Sequence, residues 1–301
     1  PLSDASGALP QDAVCLLTGG FGGIGLTVGE RLARDLGAKL VLIGRRPLPD
    51  RAQWDTLLRN AAPNDVTAAR IRGVQRLEAA GAEVLCLTAD VCNLQDMAAA
   101  RDQAVSRFGR IDMVIHAAGV VDDAPILTKT LASVENVFAA KVHGTEVLGE
   151  VFPDGSVGRM VVFSSTSTAI APAGQVDYVA ANEFLNAWAR SRAGGKTQVT
   201  AVNWGIWAEV GMAAEAFAQP EPAPVTDVDA PMLDKATFDA EGNRVFTTGL
   251  TTRRWILDGH RTKDGQALIP GTGYLDLIAQ GLRAHGESGP FEIRDLYFFR
   301  P

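Results

Sequence analysis

The sequence lacks the marks of several protein classes. It has only three cysteines, Cys15, Cys86 and Cys92, without metal-ligand spacing, which favours free thiols in a reducing compartment. Its longest apolar runs, such as AVCLL, are far shorter than the roughly 20 residues that a transmembrane helix needs. Its formal net charge of −7 gives no general attraction to nucleic acid or to anionic membranes. We therefore expect a cytoplasmic protein with no bound metal, no nucleic-acid partner and no membrane association.

Apolar residues and glycines, by contrast, are abundant. Of the 301 residues, 47% are hydrophobic and 31 are glycine, as in α/β proteins. Six short apolar runs each precede a longer amphipathic stretch: AVCLLT, KLVLIG, EVLCLT, MVIHAAG, MVVFSS and VTAVNWG. This alternation predicts a doubly wound parallel sheet of the Rossmann-like α/β class, with helices on both faces. A further short helix is predicted at Gln53–Arg59.

The composition changes after Met212, which predicts a domain boundary there. Residues 213–232 include the run AFAQPEPAPVTDVDAP, which is rich in proline and alanine, and they are predicted to be a linker. Residues 11–212 then form the larger domain. Residues 233–301 predict a small α+β segment with a hairpin in FDAEGNRVFTTGL, a helix in GTGYLDLIAQGLRAHG and a closing strand in FEIRDLYFFRP. Since the chain begins at Pro1 rather than methionine, we expect it to be a piece of a longer polypeptide.

The string TGGFGGIG follows the first predicted strand and opens the first predicted helix. Glycines there let backbone N–H groups approach a pyrophosphate at the positive end of the helix. The alternative, a tight turn needed only for packing, does not explain so many glycines in one place. We therefore predict that this turn binds a dinucleotide. The predicted contacts are Thr18, Gly19, Gly20, Gly22, Gly23, Ile24 and Gly25.

The end of the second predicted strand indicates which dinucleotide binds. An NAD site usually has an acidic residue there for the ribose 2′-hydroxyl. This chain has Gly44, Arg45 and Arg46 instead, and a guanidinium suits a 2′-phosphate through charge-assisted hydrogen bonds. NADPH is therefore the predicted cofactor, and the alternative is that both arginines are solvated surface residues.

Tyr178 and Asn182 form the most informative pair in the chain. A common reductase signature has lysine four residues after its catalytic tyrosine, whereas this chain has Asn182 there and Lys141 upstream. With Ser165, these residues make the run FSSTSTAIAPAGQVDYVAANEFLNAWA resemble the ketoreductase domain of modular polyketide and related multienzyme synthases. The resemblance covers roughly residues 12–212.

The resemblance implies a role for each of these four residues. Tyr178 would donate a proton to the reduced ketone, and Ser165 would bind and polarise the carbonyl oxygen. Lys141 and Asn182 would be the supporting pair. A nearby ammonium favours a phenolate, so we expect Lys141 to lower the pKa of Tyr178. The neighbouring Ser164 is expected to be structural.

The same resemblance implies further cofactor contacts after the third and fourth strands. An acidic residue would lie beside the adenine, and a wall of small residues would lie against the cofactor. The residues are Asp90 and Val91 for the first position and Ala117, Ala118 and Gly119 for the second.

The loop VVDDAPIL bears on stereochemistry. It resembles the LDD signature that is linked to a D-configured hydroxyl, with Asp122 and Asp123 kept and Val121 in place of leucine. The opposite class has tryptophan eight residues before the tyrosine, where this chain has Ile170. A D-hydroxyl product is therefore predicted, and the alternative is a simple acidic loop.

The segment WILDGHRTKDGQALIPGTGYLDL resembles the start of a polyketide synthase dehydratase, whose fold is a double hotdog. The HxxxGxxxxP motif of that family carries its catalytic histidine. Here four residues rather than three separate His260 from Gly265, while Pro270 keeps its offset. We expect a partial hotdog segment in which His260 has a catalytic ancestry, and the alternative is a structural loop histidine.

Together the resemblances imply reduction, with NADPH, of a β-ketoacyl thioester that phosphopantetheine tethers to an acyl carrier protein. The expected partners are that carrier protein, other domains of the same synthase and, through the synthase, a second copy of the chain. One alternative is a free-standing short-chain dehydrogenase for a small ketone or alcohol. Another is a non-catalytic module that keeps the reductase shape.

Overall fold

A computed structural model describes residues 9–62, 65–207, 225–239, 243–294 and 296. The chain divides into two compact units, Pro1–Phe217 and Ala218–Pro301. The predicted domain boundaries stay predictions, because residues 208–224 lie outside the described part of the chain.

A six-stranded parallel sheet, in the order β3-β2-β1-β4-β5-β6, forms the centre of the first unit. The six predicted strands and the doubly wound fold are thereby confirmed, since successive strands are added outward in both directions from β1. Every residue of β1 is buried, as expected for a parallel strand that is covered on both faces. The strands are Val14–Thr18 (β1), Lys39–Gly44 (β2), Val84–Thr88 (β3), Met113–His116 (β4), Arg159–Ser165 (β5) and Gln198–Trp204 (β6).

Helices cover both faces of this sheet. They are Gly23–Leu36 (α1), Trp54–Asn60 (α2), Val66–Ala79 (α3), Leu94–Phe108 (α4), Leu131–Phe138 (α5), Gly144–Val151 (α6), Ser167–Ile170 (α7) and Val176–Ser191 (α8). Successive side chains of β1 point to opposite faces. Leu16 therefore belongs to the same apolar cluster as Leu185 of α8, whereas Leu17 belongs to that of Ile71 of α3. The short helix predicted before α3 is α2.

The helical segment between β4 and β5 is irregular at one point. Residues Ala139–His143 form a π-helical turn between α5 and α6, and Lys141 is its buried residue. Such turns are rare and occur often at functional sites. The sequence pattern predicts a helix here but gives no sign of the π-helical turn.

The second unit contains an antiparallel sheet of three strands, in the order β7-β8-β9. A long helix, α10, contacts β7 and β8. Met232, Ile256 and Leu257 form the buried centre of this unit. A helix packed on antiparallel strands agrees with the predicted partial hotdog segment. The elements are Thr226–Ala230 (β7), Leu233–Phe238 (β8), Arg244–Thr247 (β9), Trp255–Asp258 (α9) and Gly271–His285 (α10).

Two parts of this unit differ from the sequence prediction. Thr226–Ala230, which the composition predicts to be linker, is a strand because it pairs with β8. It directly follows a proline-rich run, so its short alternation of polar and apolar residues does not stand out as a strand pattern. The predicted closing strand does not form at Phe291–Arg294, which pairs with neither edge of the sheet. The hairpin of β8 and β9 is confirmed. Its turn is predicted at Glu-Gly-Asn, residues 241–243, of which 241 and 242 lie outside the described residues, as does the end of the predicted closing strand, 297–301.

Within the described ranges, no helix is both long and apolar enough to cross a bilayer. The same ranges contain no group of three or more His, Cys, Asp or Glu side chains that could hold a metal ion. All three cysteines are free. Burial raises the pKa of Cys15 to about 12 and the pKa values of Cys86 and Cys92 to about 11, so these thiols are protonated at neutral pH.

Candidate active site

A cavity of about 360 Å³ opens at the carboxyl ends of β1, β2 and β4, where the strand order reverses. Sheets of this kind bind ligands at that position. Of the predicted cofactor contacts, only Gly20 and Arg46 are outside its lining. The predicted residues that line it are Thr18, Gly19, Gly22, Gly23, Ile24, Gly25, Arg45, Asp90, Val91, Ala117, Ala118 and Gly119. The lining residues that the sequence analysis missed are Ile43, Gly44, Ala89, Cys92, Val120, Asn136, Ala139 and Ala140.

Close backbone packing explains the glycines of the first turn. Gly19 has a φ of +66°, and a Cβ atom there would lie 2.7 Å from the backbone nitrogen of Ala118. A Cβ atom on Gly25 would lie 2.7 Å from the carbonyl oxygen of Gly19. Gly20 serves packing rather than the cavity, since its Cβ atom would lie 2.8 Å from the carbonyl oxygen of Leu17. Larger residues would therefore force this turn out of shape.

The amino terminus of α1 adjoins the cavity. Its N-cap residue, Gly22, has no side chain to accept a hydrogen bond, and the first turn of α1 has no acidic residue. The N–H groups that begin a helix have no partner within the helix and, together with the helix dipole, attract anions. The residues present therefore fit the pyrophosphate of a dinucleotide.

Positively charged side chains lie near the end of β2. Arg45 is exposed and is the cationic side chain of the cavity lining. Arg70, which the sequence analysis missed, has its guanidinium 4.3 Å from the centroid of the Phe21 ring. It donates to the carbonyl oxygen of Arg46 over 2.6 Å, and burial lowers its pKa. Arg70 thus fixes the backbone next to Arg45.

The structure brings Lys141 and Tyr178 together. The Nζ atom of Lys141 lies 5.7 Å from the centroid of the Tyr178 ring and donates to the carbonyl oxygen of Phe163 over 2.8 Å. Gly119 leaves room for this side chain, because a Cβ atom there would lie 2.9 Å from Lys141 Cε. The π-helical turn therefore places a cation beside the phenol from a helix other than α8.

Burial governs the acidity of both groups. It lowers the pKa of Lys141 to about 8, because the buried ammonium loses hydration. Burial also raises the pKa of Tyr178, although hydrogen bonds from Asn182 and Ser165 act in the opposite direction. The charge of Asp123 raises this pKa further. The pKa of Tyr178 is therefore raised overall, because burial outweighs these hydrogen bonds, and the expectation that Lys141 acts to lower it stays a prediction.

Asn182 lies one helical turn beyond Tyr178 and is fully buried. Its Nδ2 atom donates to the carbonyl oxygen of Tyr178 over 2.7 Å, while its Oδ1 atom has no partner among the described residues. The Ser164 hydroxyl donates to the carbonyl oxygen of Asn182 over 3.0 Å, in line with its predicted structural part. The Ser165 hydroxyl oxygen accepts from the amide of Ser167 over 3.1 Å. The four predicted catalytic side chains thus share one region of the unit.

A buried histidine that the sequence analysis missed connects the cavity to the π-helical turn. The Thr18 hydroxyl and His116 Nδ1 are 2.6 Å apart, and His116 Nε2 lies 3.0 Å from the carbonyl oxygen of Ala140. Burial lowers the pKa of His116 to about 3, so the ring is neutral at ordinary pH. A neutral ring that donates from Nε2 to the carbonyl accepts from the Thr18 hydroxyl at Nδ1. From the sequence, His116 could be recognised only as a histidine at the end of a predicted strand.

The acidic loop, residues 120–127 (VVDDAPIL), lies against the start of α8. Gln175 Nε2 donates to Asp123 Oδ2 over 2.7 Å, and the amide of Ala124 donates to the carbonyl oxygen of Gly174 over 3.0 Å. These contacts hold the loop against Gly174 and Gln175, which lie a few residues before Tyr178 in the sequence. The loop therefore borders the region where a substrate must meet the phenol.

His260 belongs to the second unit. It is exposed, and its Nδ1 atom donates to the carbonyl oxygen of Ile256 over 2.9 Å. The amide of Leu268 donates to the carbonyl oxygen of His260 over 3.1 Å. In the neutral ring this arrangement leaves Nε2 as the acceptor.

Comparison with known proteins identifies both units. The KR domain family matches residues 13–209, which is more than half of the chain. The polyketide synthase dehydratase domain family matches residues 230–301. The 6-methylsalicylic acid synthase of Aspergillus terreus is 36% identical over 262 residues, 86% of this chain and 14% of that synthase. The 5-methyl-1-naphthoate synthase of Streptomyces sahachiroi is 36% identical over 202 residues, 67% of this chain and 11% of that synthase.

The structural comparison agrees. An N-terminal ketoreductase from the macrolactin assembly line matches with a TM-score of 0.58 and 31% sequence identity, over 69% of this chain and 40% of that one. The chain thus spans a small part of the synthases that it resembles. The family match covers the whole parallel sheet and the region where Lys141 meets Tyr178. The chain belongs to the KR domain family, the ketoreductases of polyketide synthases, and continues into a polyketide synthase dehydratase domain.

Proposed function

We propose that this chain uses NADPH to reduce a β-ketoacyl thioester to a 3-hydroxyacyl thioester. The substrate is tethered by phosphopantetheine to an acyl carrier protein. The observation that carries the proposal is the buried contact between Lys141 and the ring of Tyr178. A cation held there stabilises the phenolate that remains when Tyr178 gives up its proton.

The lining of the cavity supports NADPH as the cofactor. Gly19, Gly22 and Gly25 open the backbone to a pyrophosphate, and Arg45 offers a cation where an NAD site usually has an acid. A guanidinium binds a phosphate through charge-assisted hydrogen bonds. When bound there, the nicotinamide supplies the hydride.

The side chains of this chain supply and steer the proton. Ser165 holds the ketone oxygen by a hydrogen bond, and Tyr178 donates its hydroxyl proton to the forming alkoxide. Lys141, with its pKa of about 8, stays mostly protonated at neutral pH. The Oδ1 atom of Asn182, which has no partner within the described part of the chain, offers an acceptor for a water molecule that returns a proton to this site.

The D configuration is part of the same proposal. Asp123 accepts from Gln175 at the start of α8, and Asp122 accepts from the Ser133 hydroxyl of α5, so the loop that carries both is held in place. The position of tryptophan in the opposite class is Ile170, which is 71% exposed. Both features support a D-configured 3-hydroxyacyl product.

The partners and the compartment follow from the proposed reaction. We propose that the chain works with the carrier protein, with other domains of the same synthase and in a homodimer that the synthase provides. Its free, protonated thiols suit a reducing compartment such as the cytoplasm.

The proposal is tested by NADPH oxidation with a β-ketoacyl N-acetylcysteamine thioester, followed by chiral chromatography. We expect turnover and mainly the D product. Tyr178→Phe should bind NADPH normally and lose at least about a hundredfold in rate, because it removes the proton donor. Tyr274→Phe, an exposed tyrosine of the second unit, is the matched control and should keep the full rate.

Each alternative function predicts a different result. Reduction of simple ketones in preference to the thioester would favour a free-standing dehydrogenase. NADPH binding without turnover would favour a non-catalytic module. A mainly L product would contradict the stereochemical part alone.

A further inference from the structure

A buried ion pair joins Lys129 to Asp177 within the first unit. Lys129 Nζ and Asp177 Oδ2 are 2.6 Å apart, and the two side chains are 3% and 1% exposed. In thirteen other ion pairs among the described residues, both side chains are at least 18% exposed. Desolvation offsets much of the attraction in a buried pair, so stability alone is a weak reason for its presence.

The pair connects the acidic loop to the helix that carries the phenol. The Lys129 ammonium also donates to the carbonyl oxygen of Asp122 and lies 3.5 Å from Ser133 Oγ. The second oxygen of Asp177, Oδ1, accepts from the amide of Tyr178 over 2.9 Å. One series of hydrogen bonds therefore runs from the backbone of the loop to the backbone of Tyr178.

The other contacts between the loop and the start of α8 are made by less buried residues. The side-chain bond from Gln175 to Asp123 is exposed, and the backbone bond from Ala124 to Gly174 joins two residues of intermediate burial. Water competes with exposed polar contacts, so they hold a fixed geometry less firmly than a buried charged pair. The ion pair is the buried link between loop and helix.

The ion pair acts on the substrate side of the site. Neither Lys129 nor Asp177 lines the cofactor cavity. The loop that it holds, in contrast, lies close enough to Tyr178 for the charge of Asp123 to affect the phenol. Disturbing the pair should therefore alter how a ketone is presented without altering the binding of the dinucleotide.

We propose that Lys129 and Asp177 are positioning residues that fix the acidic loop relative to the Tyr178 hydroxyl and thereby select the face of the ketone that is reduced. The inference rests on the proposed ketone reduction. A tenfold preference for one face corresponds to only about 1.4 kcal/mol in activation free energy. A small displacement of the loop thus changes the ratio of products before it abolishes turnover.

The test compares two variants by chiral analysis of the product. Lys129→Met with Asp177→Asn removes both charges, keeps a long side chain at 129 and leaves an oxygen at 177 to accept from the Tyr178 amide. Its matched control is Arg190→Met, which breaks the exposed pair with Glu183 on the same helix. Removing both charges avoids a single buried charge, which would be strongly destabilising.

We expect the double variant to fold, to bind NADPH with an unchanged Kd and to keep turnover within about tenfold, while the minor configuration rises at least about fivefold in share. Arg190→Met should give the product ratio of the unchanged chain. An unchanged ratio in a folded double variant would overturn the proposal. Loss of folding in the double variant, with Arg190→Met folded, would also overturn it, because the pair would then serve stability.

Turnover by the unchanged chain is measured first and tests the proposed function by itself. If there is none, hydrogen exchange still tests the pair. Amides of residues 122–129 should exchange at least about tenfold faster in the double variant than in Arg190→Met. Equal exchange in the two variants would overturn the positioning role whatever reaction the chain performs.

Discussion

At the scale of single residues, the chemistry of the site depends on a buried lysine whose pKa lies close to neutral pH. Lys141 is 4% exposed, and burial lowers its pKa to about 8. It is therefore mostly a cation at pH 7 and mostly neutral at pH 9. The cation favours proton release by Tyr178, so the reduction rate should depend on this titration.

We predict that kcat/KM for thioester reduction falls as the pH rises through about 8, because the cation at Lys141 is lost. Lys141→Met should be slower at pH 7 and should lack this fall. Lys196→Met, at an exposed position, should keep the profile of the unchanged chain. A fall near pH 8 that persists in Lys141→Met would assign it to another group.

The lowered pKa of Lys141 also makes the free energy of unfolding depend on pH, and the direction of this dependence can be stated. The folded pKa of Lys141 is about 8 and its ordinary value is 10.5, so between these values the unfolded chain binds more protons. The contribution of Lys141 to the free energy of unfolding should therefore rise with pH across this window. Denaturant titrations of the unchanged chain and Lys141→Met at pH 7.5 and 10 measure the difference.

Arg45 and Arg46 offer a second residue-scale prediction. Arg45 lines the cavity and Arg46 does not, although both are exposed. Arg45→Glu should lower the NADPH-to-NADH ratio of kcat/KM at least about tenfold, as expected for a charged hydrogen bond of roughly 1.5–3 kcal/mol. Arg46→Glu is the matched control and should change the ratio much less. Equal effects of the two variants, or a ratio near one in the unchanged chain, would refute the role of Arg45.

At this scale the sequence could predict residues that line the cavity where the strand before them was recognisable. The glycines after β1 and Arg45 after β2 follow strands whose ends meet at one edge of the sheet. His116 and Arg70 were missed because their roles depend on burial against distant segments. For the same reason the sequence could not show that burial raises the pKa of Tyr178.

At the scale of elements, the parallel strands were predictable because each contains a short, mostly apolar run. The run VCLLT is buried throughout, and the four inner residues of its neighbour β2 are buried as well. β7 was not predictable in this way, since TDVDA has few apolar residues and is defined by its pairing with β8. Local sequence therefore specifies strands that contain an apolar run better than a short, mostly polar strand that depends on its partner.

At the scale of the whole molecule, the two units have separate interiors. The second unit has a polar network of its own around Arg254, whose guanidinium donates to both oxygens of Asp234. That hydrogen bonding, with Arg254 as the largest cause, lowers the pKa of Asp234 to about 2. Arg254 also bonds to the carbonyl oxygens of Pro231 and Gly249. It thus connects three segments of this unit.

We predict that Arg254→Ala lowers the Tm of the second unit by at least about 4 °C and leaves thioester reduction unchanged. Because the folded pKa of Asp234 is depressed, its stabilising contribution is present above its ordinary value and is lost as the pH falls toward 2. Scanning calorimetry at pH 7 measures the first effect, and scans from pH 4 down to pH 2.5 measure the second. Lys235→Ala, from an exposed pair with Asp227, is the control. A loss of reduction in Arg254→Ala would contradict this prediction.

The π-helical turn at Ala139–His143 has a consequence for how this chain is compared with its relatives. Such a turn holds one residue more than the α-helical turn it replaces, so it is equivalent to an insertion in the middle of a helix. Removing one residue before Lys141 would restore a regular helix and rotate every later side chain by about 100°. A gap of one position in an alignment here would therefore mark a relative whose lysine points away from its tyrosine.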